Sequence, residues 1–179
     1  MASSFLQPAM TILSWSHSFT KLRYSDYTPN SVDSEETLNL KWKSWLEQEG
    51  RKRLVMHTFL HDSQVAIAHM QNRLISPAQM MLPLPAARDL WFAPNAHAWR
   101  NVYLAKQPPL QSALPSVMET FSNLSVLHSL TGVVDKSLCI LVACHALAHE
   151  VWQSRQQSQL LADWQKEGRR DRWLTHLSR

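Results

Sequence analysis

Between positions 35 and 71 the chain carries no proline and only one glycine, Gly50, so nothing in that run stops a helix. Leu38, Trp42, Trp45, Glu49, Lys52, Met56, Phe59, Ser63, Ile67, Met70 and Leu74 recur at alternating steps of three and four residues. That spacing lines them along one helical face. Glu47, Arg51 and His61 fall largely elsewhere, which gives the helix a wet side. Gly50 is a place for a bend and costs about 1 kcal/mol relative to alanine if it stays helical.

The rest of the chain arranges itself around that helix. Met10, Ile12, Leu13, Trp15 and Phe19 fit a helix over about residues 8–21, started by Pro8, and residues 24–36 are dense in turn formers. Ser34 or Asp33 can cap the long helix. Pro77 ends the helical register, and prolines at 83, 85 and 94 make residues 80–95 largely extended, with at most short helical turns. Asn95 can cap a helix to about Leu104, and a further helix is expected over about residues 116–130, stopping near Gly132. Asp135 can cap a last helix, apolar nearly all round through Leu147 and therefore expected at the centre of a bundle. Leu160, Leu161, Trp164, Trp173 and Leu177 continue its pattern, with Gly168 a possible break. No strand pattern of useful length occurs. The expectation is an all-α fold, a bundle or array of about six helices with a Pro-rich extended segment at about 77–94. Its divisions are an N-terminal helix and loop (1–37), a core motif (38–105), a linker (106–115) and C-terminal helices on the same core (116–179).

Composition narrows the function classes. A chain of 179 residues with 45% apolar and 18% charged residues has enough of both to build one core in water. Its +4 charge is spread over small groups, chiefly Arg51-Lys52-Arg53 and Arg169-Arg170 with Arg172. That supports weak attraction to polyanions, and direct nucleic-acid binding is not expected. Only three glycines are present, none beside another, which excludes phosphate-cradling loops of the Rossmann or P-loop kind. The longest apolar run, 138–144, falls far short of the roughly 20 residues that span a bilayer, and no secretory signal pattern opens the chain. Cys139 and Cys144 fit reduced thiols of an intracellular protein.

Nine histidines raise the question of metal. His57 with His61 and His145 with His149 share helix faces at a spacing of four, as in many helical metal sites. The second pair reads His-Ala-Leu-Ala-His, without the glutamate that serves as base in His-Glu-x-x-His enzymes. Glu150 points about 100° away. Histidines at the edge of an apolar face are the expected reading, with no catalytic, cofactor or metal residue assigned. A metal-dependent helical-bundle enzyme using these pairs and Asp62 stands as the alternative. Glu49 and Arg53 form an i,i+4 pair worth only about 0.3–0.5 kcal/mol if exposed. Because Glu49 lies on the apolar stripe, a buried pair that fixes how the helix docks is the other possibility.

The order Trp42-x-x-Trp45-x-x-x-Glu49-x-x-x-Arg53-Leu54, then Phe59 and Asp62, then Ser76-Pro77, Leu82-Pro83-Leu84-Pro85, Trp91 and Trp99 resembles the fungal-specific transcription factor domain. More narrowly, it resembles the version found in fungal factors with Cys2His2 zinc fingers. The likeness covers about residues 10–104 and is strongest over 42–99. It implies an all-helical regulatory domain of a nuclear regulator of RNA polymerase II transcription, downstream of a zinc-dependent DNA-binding module. It also implies action through intramolecular contacts with that module, through partner proteins or through small effectors. Trp42, Trp45, Glu49, Arg53 and Asp62 correspond to family positions that read as architectural, and the family has no catalytic residues to carry over. The chain itself lacks residues for a zinc finger or a binuclear zinc cluster, and it is expected to begin partway into the helical domain.

A Leu-Pro-Leu-Pro stretch has no donors at Pro83 and Pro85 and lies over another surface, with Trp91 and Trp99 as anchors. Packing back onto the long helix is the expected arrangement, ahead of a groove for a foreign peptide. Self-association is a further expectation, since uncovered apolar faces recruit partners. A standalone helical interaction module is the second alternative.

Overall fold

In the computed structural model, which describes the backbone of residues 3–177 and the side chains of residues 6–165, the proline-free run forms a single helix. We label it α2, Glu35–His69. Ser34 caps it by accepting the Thr37 N–H at 3.3 Å, and Glu35 and Glu36 place negative charge on its positive end. Met70 stops it in the left-handed region at φ 53°, donating its N–H back to the Ala66 and Ile67 carbonyls. From Leu38 to Ser63 the stripe is buried except for the partly buried Trp42, then it runs out: Ile67, Met70 and Leu74 are exposed.

The helix before it, α1 (Ser3–Trp15), differs from the expected 8–21 at both ends. Pro8 lies inside it, because Leu6 packs with Met10 and Leu13 in the core and holds the turn ahead of the proline. After Trp15 the chain turns through His17, at φ 53°, and Thr20 bridges Met81. Residues 80–95 are extended apart from the one-turn α3 (Arg88–Trp91), and Asn95 caps α4 (Ala96–Lys106) by accepting the Ala98 N–H at 2.9 Å. The single helix expected over 116–130 is two, α5 (Val117–Ser122) and α6 (Val126–Ser129). Asn123 breaks it, leaving the helical region and using its side-chain oxygen to accept the Ser125 N–H at 3.1 Å, a local bond that competes with helix.

The last helix, α7 (Lys136–Leu177), runs 42 residues and passes through Gly168 without a break. It is not central. Leu138, Cys139, Val142, Ala143, Ala146 and His149 are buried, while Ile140, Leu141 and Leu147 on its other side are about half exposed. Side chains from Lys166 onward, including Arg169, Arg170, Arg172, Trp173 and Leu177, lie outside the described side chains. The fold is all-α, with seven helices and only isolated bridges between extended residues among those described.

Two apolar clusters form, one at each end of α2. The first joins α1, Val55, Met56, Phe59 and Leu60 of α2, the segment through Leu82 and Leu84, and the buried face of α7. The second joins Leu38 and Trp45 to Ala86, Leu90, Ala93, Ala96 and Trp99. Trp45 and Trp99 lie 5.5 Å apart, centroid to centroid, and Trp99 and Tyr103 5.6 Å. The extended segment crosses α2 between the clusters, feeding leucines into one and Ala86 into the other. Segment 106–115 rests on the same body: Leu114 is buried in the first cluster and the Gln111 N–H donates to Asp26.

Gly50 sits where the helix passes Trp91. A Cβ there meets the Trp91 ring at 3.6 Å, an ordinary van der Waals contact. Gly50→Ala is therefore expected to raise stability by about 0.5–1 kcal/mol, read as a higher urea midpoint at an unchanged slope.

Candidate functional site

The gap between the two apolar clusters is filled by charge. One turn of α2 presents Glu49, Lys52 and Arg53, and the loop ahead of α7 adds Asp135. The Lys52 ammonium lies 2.6 Å from Glu49 Oε2, and Arg53 Nε donates to Glu49 Oε1 at 3.0 Å. Arg53 Nη1 reaches Asp135 Oδ2, also at 3.0 Å. The side chains are 1% (Glu49), 2% (Lys52), 4% (Asp135) and 11% (Arg53) exposed. Two positive and two negative charges make the cluster neutral, the condition under which ions can be buried at all. The Arg53 guanidinium also stacks over Trp91, 4.9 Å from the ring centroid.

This cluster grips the Leu-Pro-Leu-Pro segment by its backbone. Lys52 Nζ donates to the Leu84 carbonyl at 3.2 Å, and Arg53 Nη2 donates to the Ala86 carbonyl at 2.7 Å. Glu49 Oε1 accepts the Ala86 N–H at 2.9 Å. The remaining groups pair with neighbouring loops: Leu84 N–H with the Pro115 carbonyl, Val117 N–H with Leu82, Asp135 N–H with Pro85, and Ala87 N–H with Val133. These ladders use the N–H groups of residues 84, 86 and 87. None falls at Pro83 or Pro85, so the prolines stiffen the segment at no loss of bonding.

The other sequence-named residues are placed as follows. Trp45 and Trp99 are buried in the second cluster with Trp42 packed against it. Asp62 lies farther along α2, where its carboxylate accepts the Leu74 and Ile75 N–H groups at 2.8–3.1 Å and fixes the chain's return after α2. Lys52 was visible as a stripe member, but its pairing with Glu49 is shown only by the structure. Asp135 was readable as a helix cap, and it does accept the Leu138 N–H at 3.2 Å. Its link to Arg53, 82 positions away, left no sequence signal. His57 and His61 are exposed. Among the described residues no group of three or more His, Cys, Asp or Glu side chains could hold a metal ion. Burial, reinforced by Asp135 and Glu49, pushes the Cys139 thiol up to about 12, so it stays protonated and unreactive.

A second feature has no counterpart in the sequence reading. Arg73, in the turn after α2, packs its guanidinium over Phe59 at 5.0 Å and lines a cavity of about 440 Å³ with Ser76, Gln79, His149, Glu150 and Gln153. Burial, and then the Arg73 charge, hold the His149 imidazole below the ordinary histidine value of 6.5, while Glu150 and Asp62 oppose the shift.

The family profile described as the Fungal specific transcription factor domain matches residues 11–179. The chain belongs to this family. It is similar to zinc finger protein klf1 of Schizosaccharomyces pombe, 27% identical over 115 residues that cover 59% of this chain and 15% of that protein. It is also similar to Transcription factor 1 of Elsinoe fawcettii, 25% identical over 113 residues (63% of this chain, 12% of that one). A nicotinate catabolism cluster-specific transcription factor of Emericella nidulans is 27% identical over 104 residues, 51% of this chain and 12% of that one. The chain spans 15% or less of the length of these relatives. No solved structure matches it. Two of these names are those of transcription factors and one is that of a zinc finger protein, none that of an enzyme, and the fungal transcription factor domain is a regulatory unit.

Two outcomes follow from this geometry. Glu49→Gln leaves the Lys52 and Arg53 charges buried without their shared partner and is expected to cost about 3–5 kcal/mol, measured by denaturant unfolding. A double cycle with Arg53→Met is expected to be strongly non-additive, since both act on Ala86. For His149, whose folded state favours the neutral ring, the unfolded chain binds the proton first. Its stabilisation is complete above 6.5 and declines as pH falls through 6.5 toward the lower folded value. His149→Gln is expected to flatten that decline in unfolding curves taken from about pH 7 to about 5.5.

Proposed function

We propose that this domain regulates a longer transcription factor in the nucleus without touching DNA itself, and that it acts by docking other protein segments on α7. The observation that carries the reading is where α7 goes. Beyond Gln153 its described side chains are all exposed, among them Leu160, Leu161 and Trp164 at 57%, 56% and 69%. An apolar group of this kind on a projecting helix is a docking face for a partner helix or groove. The relatives are many times longer than this chain, which supplies protein for such a face to meet.

The charge distribution supports the same reading. The Arg51-Lys52-Arg53 triplet is occupied internally: Arg51 pairs with Glu47 at 2.9 Å, and the other two belong to the buried cluster. A phosphate backbone needs cations that are free to replace its counterions. No helix among the described residues is long and apolar enough to cross a membrane.

The test fuses the chain to an unrelated DNA-binding module upstream of a reporter. Leu160→Ser, Leu161→Ser and Trp164→Ser together are expected to abolish the change in reporter output that the chain imposes. Stability should stay within about 0.5 kcal/mol, as for other exposed sites. Unchanged reporter output in the triple variant, or sequence-specific DNA binding by the isolated chain, would overturn the proposal. Light scattering of the same variants separates the occupants: a dimer that the substitutions dissolve puts a second copy of the chain on this face.

A further inference from the structure

The Arg73 guanidinium is buried without being satisfied. Its side chain is 2% exposed. Nη1 makes two long bonds, to Ser63 Oγ at 3.3 Å and to the His145 carbonyl at 3.5 Å. Nε and Nη2 donate to nothing. The nearest carboxylate outside the backbone-bound Asp62 is Glu150, whose Oε1 stands 3.8 Å from Nη2, too far for a hydrogen bond, on a side chain 57% exposed. A buried guanidinium that keeps two donors idle forgoes strong bonds and retains its desolvation cost. Burial accordingly lowers the affinity of Arg73 for its proton.

The idle pair is informative in its arrangement. Nε and Nη2 form one edge of the planar guanidinium, an edge that matches both oxygens of a carboxylate in a two-bond fork. Arg73 lines the cavity of about 440 Å³, with Leu74, Ile75 and Pro77 giving an apolar wall and Gln79 and Gln153 giving amides; Nε and Nη2 themselves are closed to solvent, with Glu150 Oε1 standing 3.8 Å from Nη2. Gln79 is fixed at the rim by accepting the Ser76 N–H at 2.9 Å. The titratable groups facing the fork are His149, held neutral, Glu150, and Asp62 behind it, whose carboxylate is occupied by the Leu74 and Ile75 N–H groups.

We infer that this cavity is a binding site for a small organic monocarboxylate, whose carboxylate forks onto Arg73 Nε and Nη2 and turns Glu150 out to solvent. With Glu150 turned out, Arg73, Asp62 and a bound monoanion leave one net negative charge, whereas a phosphate dianion would leave two, so phosphate is the more disfavoured. Glu150 is the occupant's competitor, which makes the two residues act in opposite directions on binding. The inference does not depend on the transcriptional reading, since it concerns ligand binding by the chain itself.

Calorimetric titration of the purified chain with acetate, pyruvate and benzoate, against inorganic phosphate at matched ionic strength, tests it. Saturable binding of a carboxylate at millimolar or lower concentration is expected, tighter for the probes that fill more of the cavity. Arg73→Lys keeps the charge and loses the fork, and is expected to weaken binding about tenfold or more. Glu150→Gln is expected to tighten it, a gain that damage to the fold does not produce. Circular dichroism of each variant confirms that it is folded. The inference fails if no carboxylate saturates the wild type or Glu150→Gln, if phosphate binds as well as the carboxylates, or if either variant leaves the affinity unchanged.

Discussion

The Glu49 carboxylate sits at the point where three parts of the chain must agree. It neutralises two cations of its own helix and takes the N–H of Ala86 from the segment lying across that helix. Arg53 then carries the link on to Asp135 and so to the start of α7. The arrangement is costly to assemble, because each ion leaves water. Its return is geometric: backbone groups of an extended segment are not helix or sheet partners, and each one buried unpaired costs about 1–3 kcal/mol. The cluster supplies the missing partners at one register only. Sliding the segment one residue one way would set the Pro85 nitrogen against Glu49 and remove the bond, and one residue the other way would take the Ala87 N–H from Val133.

That dependence explains how much of the molecule is written in its sequence. The long helix, its cap at Ser34, the cap at Asn95 and the extended character of residues 80–95 rest on local rules, and local rules are legible. The short α5 and α6 were not, because Asn123 chose a side-chain bond over one more helical turn, a local competition that periodicity does not register. Pro8 misled for the opposite reason: the burial of Leu6 outweighed the break that proline signals. Near Glu49, the i,i+4 pairing with Arg53 could be read from spacing, while Asp135 arrives from a distant position and its link to Arg53 leaves no pattern. Arg73 was silent altogether, since a single arginine in a turn looks like any solvated cation until its burial is known.

The residues that carry the family likeness and the two proposed surfaces therefore occupy different positions. Trp42, Trp45, Glu49, Arg53, Trp91 and Trp99 are consumed in holding α2, the extended segment and α4 together. Surfaces free to differ are those the frame leaves over, namely the outer half of α7 and the cavity behind the α2 turn.

The length of α7 has a mechanical meaning. Among the described side chains its last buried one is His149, and the helix runs 28 residues further to Leu177, about 42 Å at the helical rise. Such a rod is a lever whose fulcrum is the last buried turn, the same turn that borders the Arg73 cavity. A tilt of about 10° there sweeps the tip through about 7 Å, by the same helical length. The proposed ligand cavity and the proposed docking face thus lie on one helix, so that a tilt at the first would displace the second.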